Sequence, residues 1–258
     1  MIYKTLIVTE EAGVGLITLN RPTLMNALNA QMRAEITAAV RDLGTRMRVL
    51  VITGEGRAFC SGQDLGDGAS VNDLDLGRIL REEYEPMLRA IYDCPVPVIS
   101  AVNGAAAGAG ANLALAADVV IAAQSAVFLQ AFSRIGLIPD AGGTYWLPRL
   151  VGFARAMGQA LFAEKVTADD AQSMGLIWAS VPDDRFAAEW RARANQLASG
   201  PTLAYGAIKR ALRASMTNDV DTQLDTEARL QEDMGTTRDF REGVMAFLEK
   251  RPARFQGR

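Results

Sequence analysis

The chain lacks histidine altogether. This absence excludes Ser-His-Asp and Cys-His catalysis, histidine general bases and zinc sites with histidine ligands. Any proton transfer must therefore fall to Asp, Glu, Lys, Tyr or Cys. Cysteine is scarce as well, since only Cys60 and Cys94 are present. Two cysteines are too few for a disulfide framework, and these two form no CxxC metal motif. Such low cysteine usage is typical of proteins of the reducing cytoplasm. We expect a cytoplasmic protein without a metal site.

A strong charge of either sign and a long unbroken apolar run are also missing. The 27 basic and 30 acidic side chains leave a net charge of −3, which argues against a general binder of nucleic acid or anionic membranes. The apolar stretch 96–123 is interrupted by Asn103, Asp118 and several glycines, so it predicts strand, loop, helix and strand rather than a membrane span. We expect no nucleic-acid partner and no membrane partner.

Hydrophobic residues make up 49% of the 258 residues, enough for one large domain with a substantial core. Apolar runs such as 49–53 and 119–123 predict strands that are buried on both faces. These strands alternate with helical patterns, which indicates parallel β/α units and an α/β fold. The C-terminal third is a run of helical patterns, and we divide the chain into a core, 1–200, and a helical C-terminal region, 201–258.

Individual elements follow from turn signals and periodicity. In chain order we predict a hairpin over 6–20 with its turn near Ala12 and Gly13, a helix from Asn29, a strand at 49–53, a mobile loop over 66–77, a helix ending near Asp93, a strand at 95–102, a helix at 109–117 and a strand at 119–123. A capping-box pattern at 167–170 predicts the start of another short helix.

Two segments of small residues, 56–64 and 103–112, are the main functional signal. Each follows an apolar run that predicts a buried strand, and each offers backbone N–H groups where a turn leads toward a helix. Glycine in one such loop is more often structural than catalytic. Two loops at the ends of parallel strands, however, lie where ligands bind in α/β folds. Two converging N–H donors would stabilise an enolate or a tetrahedral oxyanion.

These segments belong to a longer, collinear resemblance. Residues 58–65, 103–118, 136–144 and 241–251 together resemble the crotonase (enoyl-CoA hydratase/isomerase) superfamily. The resemblance implies a ββα spiral core with a helical C-terminal trimerisation region, and a homotrimer or homohexamer as the assembly. It implies an acyl-CoA substrate whose thioester enolate is held by two backbone N–H groups. It implies no cofactor, since coenzyme A is part of the substrate.

The family motifs assign roles to particular residues of this sequence. The two oxyanion donors would be the backbone N–H groups of Gln63 and Ala109. The residues implied for substrate binding are Ser61, Gly62, Asp64, Leu65, Gly108, Phe247 and Lys250. For two of these residues, a purely structural role is the alternative to substrate binding. Asp64 is also suited to capping a helix, and Lys250, with its neighbour Arg251, to a solvated cationic helix end.

Departures from the hydratase pattern reduce the number of reactions that the chain is expected to catalyse. Hydratases of this family use two glutamates, and the matching positions here hold Asn112 and Phe132. Neither side chain exchanges a proton at neutral pH, so hydration by the two-glutamate mechanism is not expected. Some isomerases of the family instead place their acid/base carboxylate at the position of Asp140. An apolar acyl pocket would raise the pKa of this aspartate. The alternative is that Asp140 is an exposed turn residue after proline with no catalytic role.

Within the family, the chain most resembles the isomerases that convert 1,2-epoxyphenylacetyl-CoA to oxepin-CoA. That resemblance implies an acyl-CoA isomerase with Asp140 as acid/base. A Δ3,Δ2-enoyl-CoA isomerase would use the same residues, and a non-catalytic acyl-CoA-binding homologue is the alternative from another class. Tyr145 and Trp146 suit either an aromatic acyl group or core packing. Cys60 is expected to be a small buried packing residue, because no histidine is present to activate it.

Overall fold

The computed structural model describes residues 2–66 and 75–258. Within them, strands form a six-stranded sheet in the order β1-β2-β3-β5-β7-β10 and a four-stranded sheet in the order β4-β6-β8-β9. The strands are β1 (Leu6–Glu11), β2 (Val14–Leu19), β3 (Val49–Gly54), β4 (Ala58–Cys60), β5 (Val98–Val102), β6 (Ala105–Ala107), β7 (Val119–Ala123), β8 (Val127–Leu129), β9 (Lys165–Thr167) and β10 (Ala179–Val181). The α/β class predicted from the sequence is confirmed.

Helices connect and pack against the strands of both sheets. They are α1 (Ala30–Gly44), α2 (Leu76–Ile79), α3 (Glu85–Tyr92), α4 (Ala109–Leu115), α5 (Gly143–Val151), α6 (Phe153–Phe162), α7 (Ala168–Ser173), α8 (Asp183–Ala198), α9 (Thr202–Ala214), α10 (Val220–Gly235) and α11 (Arg238–Leu248). A π-helical turn over Leu80–Tyr84 joins α2 to α3, and short 3₁₀ turns cover Pro22–Leu24 and Ala131–Ile135. No helix of the described residues is long and apolar enough to cross a bilayer.

The large sheet begins with the predicted hairpin. Strands β1 and β2 pair antiparallel, and Ala12 and Gly13 between them have φ angles of 49° and 83°. Positive φ at both turn residues matches the twist of the two strands. From β2 onward the neighbours β3, β5, β7 and β10 run parallel, and β5 is buried along its whole length. Burial on both faces explains the continuous apolar runs in the sequence.

Three successive units repeat one arrangement: a strand of the large sheet, a strand of the small sheet, then helix. Strands β3 and β4 precede α2 and α3, β5 and β6 precede α4, and β7 and β8 precede α5. Helix α4 contacts strands of both sheets, and all seven of its residues are buried. A helix of alanine, glycine and leucine fits there because small side chains permit close approach of the surrounding backbone.

Capping signals placed helix starts accurately. The Asn29 side chain accepts a hydrogen bond from the Met32 N–H at 2.9 Å, and the Thr167 hydroxyl accepts one from the Asp170 N–H at 3.1 Å. Both helices therefore begin where the sequence predicts.

Two local predictions need correction. Most of the predicted loop 66–77 lies outside the described residues, but α2 already begins at Leu76, where Asp75 caps it through the Arg78 N–H. Residues 105–107, expected to be part of a loop, form β6 between β4 and β8. Alanine has low β-propensity, so tertiary pairing decides this strand. The division at residue 200 stays a prediction.

Candidate active site

Two cavities meet at Asp140. The smaller one, which we call the glycine cavity, has a volume of about 310 Å³. Its lining includes Ser61, Gly62, Gln63, Gly108, Phe132 and Asp140. The larger one, the aromatic cavity, has a volume of about 700 Å³, and its lining includes Tyr84, Tyr92, Leu137, Asp140, Tyr145 and Trp146. Both contain Leu76, Leu80, Tyr84, Leu137 and Asp140, so Asp140 lies at the junction.

The turn that follows β4 forms one wall of the glycine cavity. On either side of Gln63, the chain is fixed to Leu28: the Leu28 N–H donates to the Gly62 carbonyl at 2.8 Å, and the Asp64 N–H donates to the Leu28 carbonyl at 3.1 Å. The N–H of Gln63 lies between these bonds. Within residues 2–66 and 75–258, this N–H donates to no protein acceptor.

The start of α4 forms the facing wall. Ala109 is the first residue of that helix, so its N–H has no partner within the helix, and no side chain caps the end. Gly62 brings the two walls together. A Cβ at this glycine would lie 2.8 Å from the Ala107 carbonyl oxygen and 3.4 Å from the Ala109 nitrogen, and its φ of 98° is in the left-handed region. Glycine is therefore required where the turn before Gln63 meets the start of α4.

A buried polar cluster holds the Gln63 side chain. Its Oε1 accepts hydrogen bonds from Arg33 Nη1 at 3.0 Å and from the Tyr84 hydroxyl at 2.5 Å. Arg33 is 2% exposed, donates to the Leu28 carbonyl at 2.6 Å, pairs with Glu83 at 2.6 Å and stacks over the Tyr84 ring. The cluster joins α1, the π-helical turn and the Gln63 turn, which limits the movement of the Gln63 backbone.

Asp140 presents a carboxyl with one unpaired oxygen at the cavity junction. Its Oδ1 is buried and has no hydrogen-bond partner, and no ion pair to it is present in the described part of the chain. Burial raises the pKa of Asp140 to about 6, opposed by a hydrogen bond with its own backbone. This direction agrees with the expectation from the sequence. A carboxyl with a pKa near neutrality can both accept and return a proton.

The positions of the two hydratase glutamates hold neutral side chains. Asn112 is completely buried and hydrogen-bonds to the Asp140 carbonyl and to Gln130, at 2.7 and 2.8 Å. Phe132 is 6% exposed and lines the glycine cavity. Neither side chain titrates, so Asp140 is the one carboxyl among the described residues that line the glycine cavity.

Aromatic side chains shape the second cavity. Tyr92 and Trp146 have ring centroids 5.4 Å apart, and Tyr145 meets Trp146 edge-on at 4.8 Å. All three side chains are half-buried and line the cavity, although Tyr145 and Trp146 were equally compatible with core packing. At least one edge of this aromatic cluster therefore faces a space large enough for a ring-sized acyl group.

Other residues singled out in the sequence are placed as follows. Leu65 lines the glycine cavity with an exposed fraction of 60%. Asp64 pairs with Arg21 at 2.7 Å and accepts the Gly66 N–H at 3.0 Å; burial favours a higher pKa, but these bonds lower it. It caps no helix within the described ranges. Cys60 is a buried packing residue, as expected, and burial raises the pKa of its thiol to about 12.

The C-terminal residues lie apart from Asp140. Phe247, on α11, is 83% exposed and lines a groove of about 840 Å³ between α9, α10 and α11. Lys250 follows α11 and lines neither cavity that contains Asp140. Arg251 pairs with Glu242 at 2.6 Å and with Glu249. One chain therefore does not bring these residues to Asp140, and their role in substrate binding stays a prediction.

Sequence analysis missed Arg33, Tyr84, Tyr92 and Gln130. Only Arg33 carried a usable signal, because it shares the spacing of Ile36 and Val40 on the buried face of α1. A charged residue on such a face is rarely buried without a partner. The other three lie on elements whose packing the sequence did not reveal. Among the described residues, no group of three or more His, Cys, Asp or Glu side chains is placed to hold a metal ion.

Comparison with known proteins identifies the family of this chain. A family model described as enoyl-CoA hydratase/isomerase matches residues 9–258. The chain belongs to this family. It is 63% identical to a probable enoyl-CoA hydratase of Rhodobacter capsulatus, over 100% of both chains. It is 46% identical to the 1,2-epoxyphenylacetyl-CoA isomerase of Escherichia coli, over 96% of this chain and 97% of that one.

Solved structures agree with the family assignment. A putative enoyl-CoA hydratase/isomerase from Mycobacterium abscessus superposes with a TM-score of 0.93 at 37% identity, over 98% of this chain and 100% of that chain. A putative enoyl-CoA hydratase from Streptomyces coelicolor gives 0.94 at 37% identity, over 100% and 96%. The fold is thus the crotonase fold, and the protein is an acyl-CoA hydratase/isomerase.

Proposed function

We propose that this protein is an acyl-CoA isomerase, with Asp140 as its acid/base, that acts on a ring-bearing acyl group such as 1,2-epoxyphenylacetyl-CoA. One observation carries the choice of isomerase over hydratase. Among the described residues, the cavity junction offers a single titrating carboxyl, because Asn112 and Phe132 occupy the positions of the two hydratase glutamates. Addition of water by the two-glutamate mechanism needs a second acid/base group that these residues do not supply.

The glycine cavity suits the thioester. With the carbonyl oxygen of the thioester between the N–H groups of Gln63 and Ala109, negative charge that develops on that oxygen is stabilised by donors already in place. The buried Arg33 cluster keeps one of these donors from reorganising. Both N–H groups lack protein acceptors in the described chain, so each is available to the substrate.

Asp140 then relays one proton. Its carboxylate removes a proton from the carbon next to the thioester carbonyl, which leaves an enolate whose oxygen is held by the two N–H groups. The resulting carboxylic acid returns the proton to a more distant carbon, and the double bond shifts between them. No atom is gained or lost, which is why one carboxyl is sufficient. A pKa of about 6 suits both halves of the relay.

A ring epoxide requires one additional rearrangement. The carbon–carbon bond shared by the epoxide and the six-membered ring breaks, which gives a seven-membered oxepin. The same relay moves a proton from the carbon next to the thioester to the ring, so the overall change is an isomerisation. The aromatic cavity, with Tyr92, Tyr145 and Trp146 around about 700 Å³, suits the ring. The E. coli relative, which is named for this reaction, supports the proposal.

Isomerisation of Δ3-enoyl-CoA to Δ2-enoyl-CoA is the second candidate function. It uses the same two N–H donors and the same carboxyl, and the apolar rim formed by Leu76, Leu80 and Leu137 suits an aliphatic chain. The name of the R. capsulatus relative, probable enoyl-CoA hydratase, points to hydration, against which the neutral side chains at 112 and 132 argue. We expect catalysis without a cofactor beyond the CoA of the substrate.

A homotrimer or homohexamer is proposed as the assembly. Many large apolar side chains of α9, α10 and α11 are exposed in the single chain: Leu203, Ile208, Leu212, Val220, Leu224, Phe240, Val244, Phe247 and Leu248. An apolar face of this extent is typical of a surface covered by another subunit. In such an assembly, Phe247 and Lys250 could reach the CoA site of a neighbouring subunit, which agrees with their distance from Asp140 in one chain.

The decisive variant is Asp140→Asn, assayed with 1,2-epoxyphenylacetyl-CoA and with a cis-3-enoyl-CoA. We expect kcat to fall about a hundred- to ten-thousandfold with little change in KM, since the amide keeps the shape but transfers no proton. Glu85→Gln tests the other carboxylate of the aromatic cavity and should retain most of the turnover. Retained turnover in Asp140→Asn would refute the assignment. Tight CoA binding without turnover of either substrate by the unmodified protein would favour the non-catalytic alternative.

A further inference from the structure

A buried chain of hydrogen bonds ends on the turn that carries Asp140. Gln130 Nε2 donates to Asn112 Oδ1 at 2.8 Å, and Asn112 Nδ2 donates to the Asp140 carbonyl oxygen at 2.7 Å. Asn112 is completely buried and Gln130 is 4% exposed. The Asp140 carbonyl also accepts the Gly143 N–H at 2.8 Å, so two donors fix this one peptide group.

Hydrogen-bond logic sets the orientation of the Asn112 amide. A main-chain carbonyl can only accept, so the NH₂ group of Asn112 must face Asp140. Its oxygen then faces Gln130, which must donate. Gly143 makes room for this contact, because a Cβ there would lie 2.5 Å from Asn112 Nδ2. The amide thus fits a space that is closed on the side of α5.

Asn112 lies on α4, the helix that also carries Ala109. Ala109 and Asn112 are three residues apart in the same helix, so they lie on the same face, one turn apart. The Asn112 side chain therefore ties the helix that supplies one proposed oxyanion donor to the turn that supplies the carboxyl. The donor and the carboxyl must keep a fixed separation while the proton moves along the substrate.

We propose that Asn112 is a positioning residue of the isomerase: its amide holds the Asp140 turn at a set distance from the Ala109 N–H and keeps the junction free of a second carboxyl. The inference rests on the proposed function. Asparagine meets both requirements, since an ionised carboxylate at this position would face the Asp140 carbonyl with no proton to donate. An apolar side chain would leave that carbonyl and Gln130 without their present partner.

Asn112→Asp tests the proposal through the pH profile of kcat. In the unmodified protein, kcat should rise through pH about 6 as Asp140 ionises and then stay level. In the variant, the new buried carboxyl can donate to the Asp140 carbonyl only while protonated. We therefore expect kcat to rise and then fall about tenfold or more, which is a bell-shaped profile. The other titratable side chains that line the two cavities at Asp140 are Tyr84, Glu85, Arg89, Tyr92, Arg134 and Tyr145.

Asn26→Asp is the matched control. Asn26 is also completely buried and donates to two main-chain carbonyls, of Glu55 and Ala58, at 3.0 and 2.8 Å. If its replacement merely destabilises the chain, kcat per folded molecule should keep the single rise with pH. A falling limb of equal size in this control would show a general effect of buried acid and would overturn the proposal.

Asn112→Ala gives the second measurement. We expect kcat to fall on the order of a hundredfold while KM changes by less than threefold, because the substrate still binds but the carboxyl is displaced. Unchanged kcat in Asn112→Ala, or a single rise in Asn112→Asp, would overturn the positioning role. If Asn112→Ala fails to fold, the nearly isosteric Asn112→Asp decides. Asp140→Asn, measured beside them, separates the two hypotheses: its activity must collapse whether or not Asn112 matters.

Discussion

The two cavities that meet at Asp140 are built in different ways. In the glycine cavity, the groups that we propose to hold the substrate are main-chain N–H groups, those of Gln63 and Ala109, on either side of the close approach at Gly62. In the aromatic cavity they are side chains, chiefly Tyr92, Tyr145 and Trp146. The first wall depends on backbone conformation, and the second on which residues project from α3 and α5.

This difference separates the shared chemistry from the choice of substrate. Every replacement of Gln63 or Ala109 except proline leaves an N–H in place, so the glycine cavity preserves enolate stabilisation as long as the turn is preserved. Replacement of one aromatic side chain changes the size and surface of the other cavity without touching the donors. We therefore assign thioester activation to the glycine cavity and acyl specificity to the aromatic cavity.

Among the variants that separate the two cavities, Gly62→Ala should have the largest effect, because it disrupts the glycine cavity. The added Cβ would lie 2.8 Å from the Ala107 carbonyl oxygen, on a residue whose φ is 98°. One wall must move, which displaces an oxyanion donor, and loss of such a donor lowers kcat about a hundred- to a thousandfold. Steady-state kinetics on both substrates should show the same loss for each.

Gly152→Ala controls for backbone strain alone. Gly152 also has a left-handed φ, of 77°, but a Cβ there would meet nothing within 4 Å. Gly152 has a ψ of 163°, so its backbone conformation is one that essentially only glycine adopts. Its replacement should lower stability by about 1–3 kcal/mol and leave kcat nearly unchanged. If both glycine variants lose turnover equally, the close approach at Gly62 is not the cause.

Trp146→Ala changes the aromatic cavity, and we expect its effect on turnover to be smaller than that of Gly62→Ala. Removal of the indole takes away apolar surface that is available to a ring, so kcat/KM for the ring substrate should fall on the order of tenfold to a hundredfold. The straight-chain substrate, which needs less of that surface, should lose less. Trp146→Phe is the matched control and should restore most of the difference. Equal losses for both substrates would contradict the assignment of specificity to this cavity.

The smallest expected effect concerns stability. Asp140 has a folded-state pKa of about 6 and an ordinary value of 3.8. Between these values the folded chain binds more protons than the unfolded chain, so stability falls as pH rises through that window. Asp140→Asn removes the cost of the buried charge. At pH 8 it should raise the free energy of unfolding by about 1 kcal/mol, after allowance for partial exposure of the carboxyl.

Urea unfolding at two pH values checks this prediction. Below about pH 3 the carboxyl is protonated in both states, so the variant and the unmodified protein should be equally stable there. A variant that is less stable at pH 8 would mean that the carboxylate makes favourable contacts in the folded chain. Gain of stability with loss of turnover is the pattern expected of a residue retained for chemistry.

Sequence alone predicted the backbone-built half of the site better than the other half. Capping residues, turn glycines and continuous apolar runs are local signals, and they located the hairpin, α1, β3, β7 and the two small-residue segments. These features depend on neighbours in the chain, which the sequence shows directly.

The side-chain-built half depends on contacts between distant segments. Tyr92 reaches the aromatic cavity from α3 and Trp146 from α5, and no spacing in the sequence reveals that these helices meet. The same holds for Arg33 on Gln63 and for Asn112 on Asp140, which are 30 and 28 residues apart. The alanine strand β6 was missed for a similar reason, since its pairing with β4 and β8 outweighs its propensity.

The central claim is that one carboxyl makes this family member an isomerase and not a hydratase. The most direct test supplies purified protein with a cis-3-enoyl-CoA and, separately, a trans-2-enoyl-CoA, and resolves the products by chromatography and mass. We predict conversion of the first to the trans-2 isomer and hydration of the second at least a hundredfold slower. Hydration at a rate comparable to isomerisation, with water added across the double bond, would contradict the account.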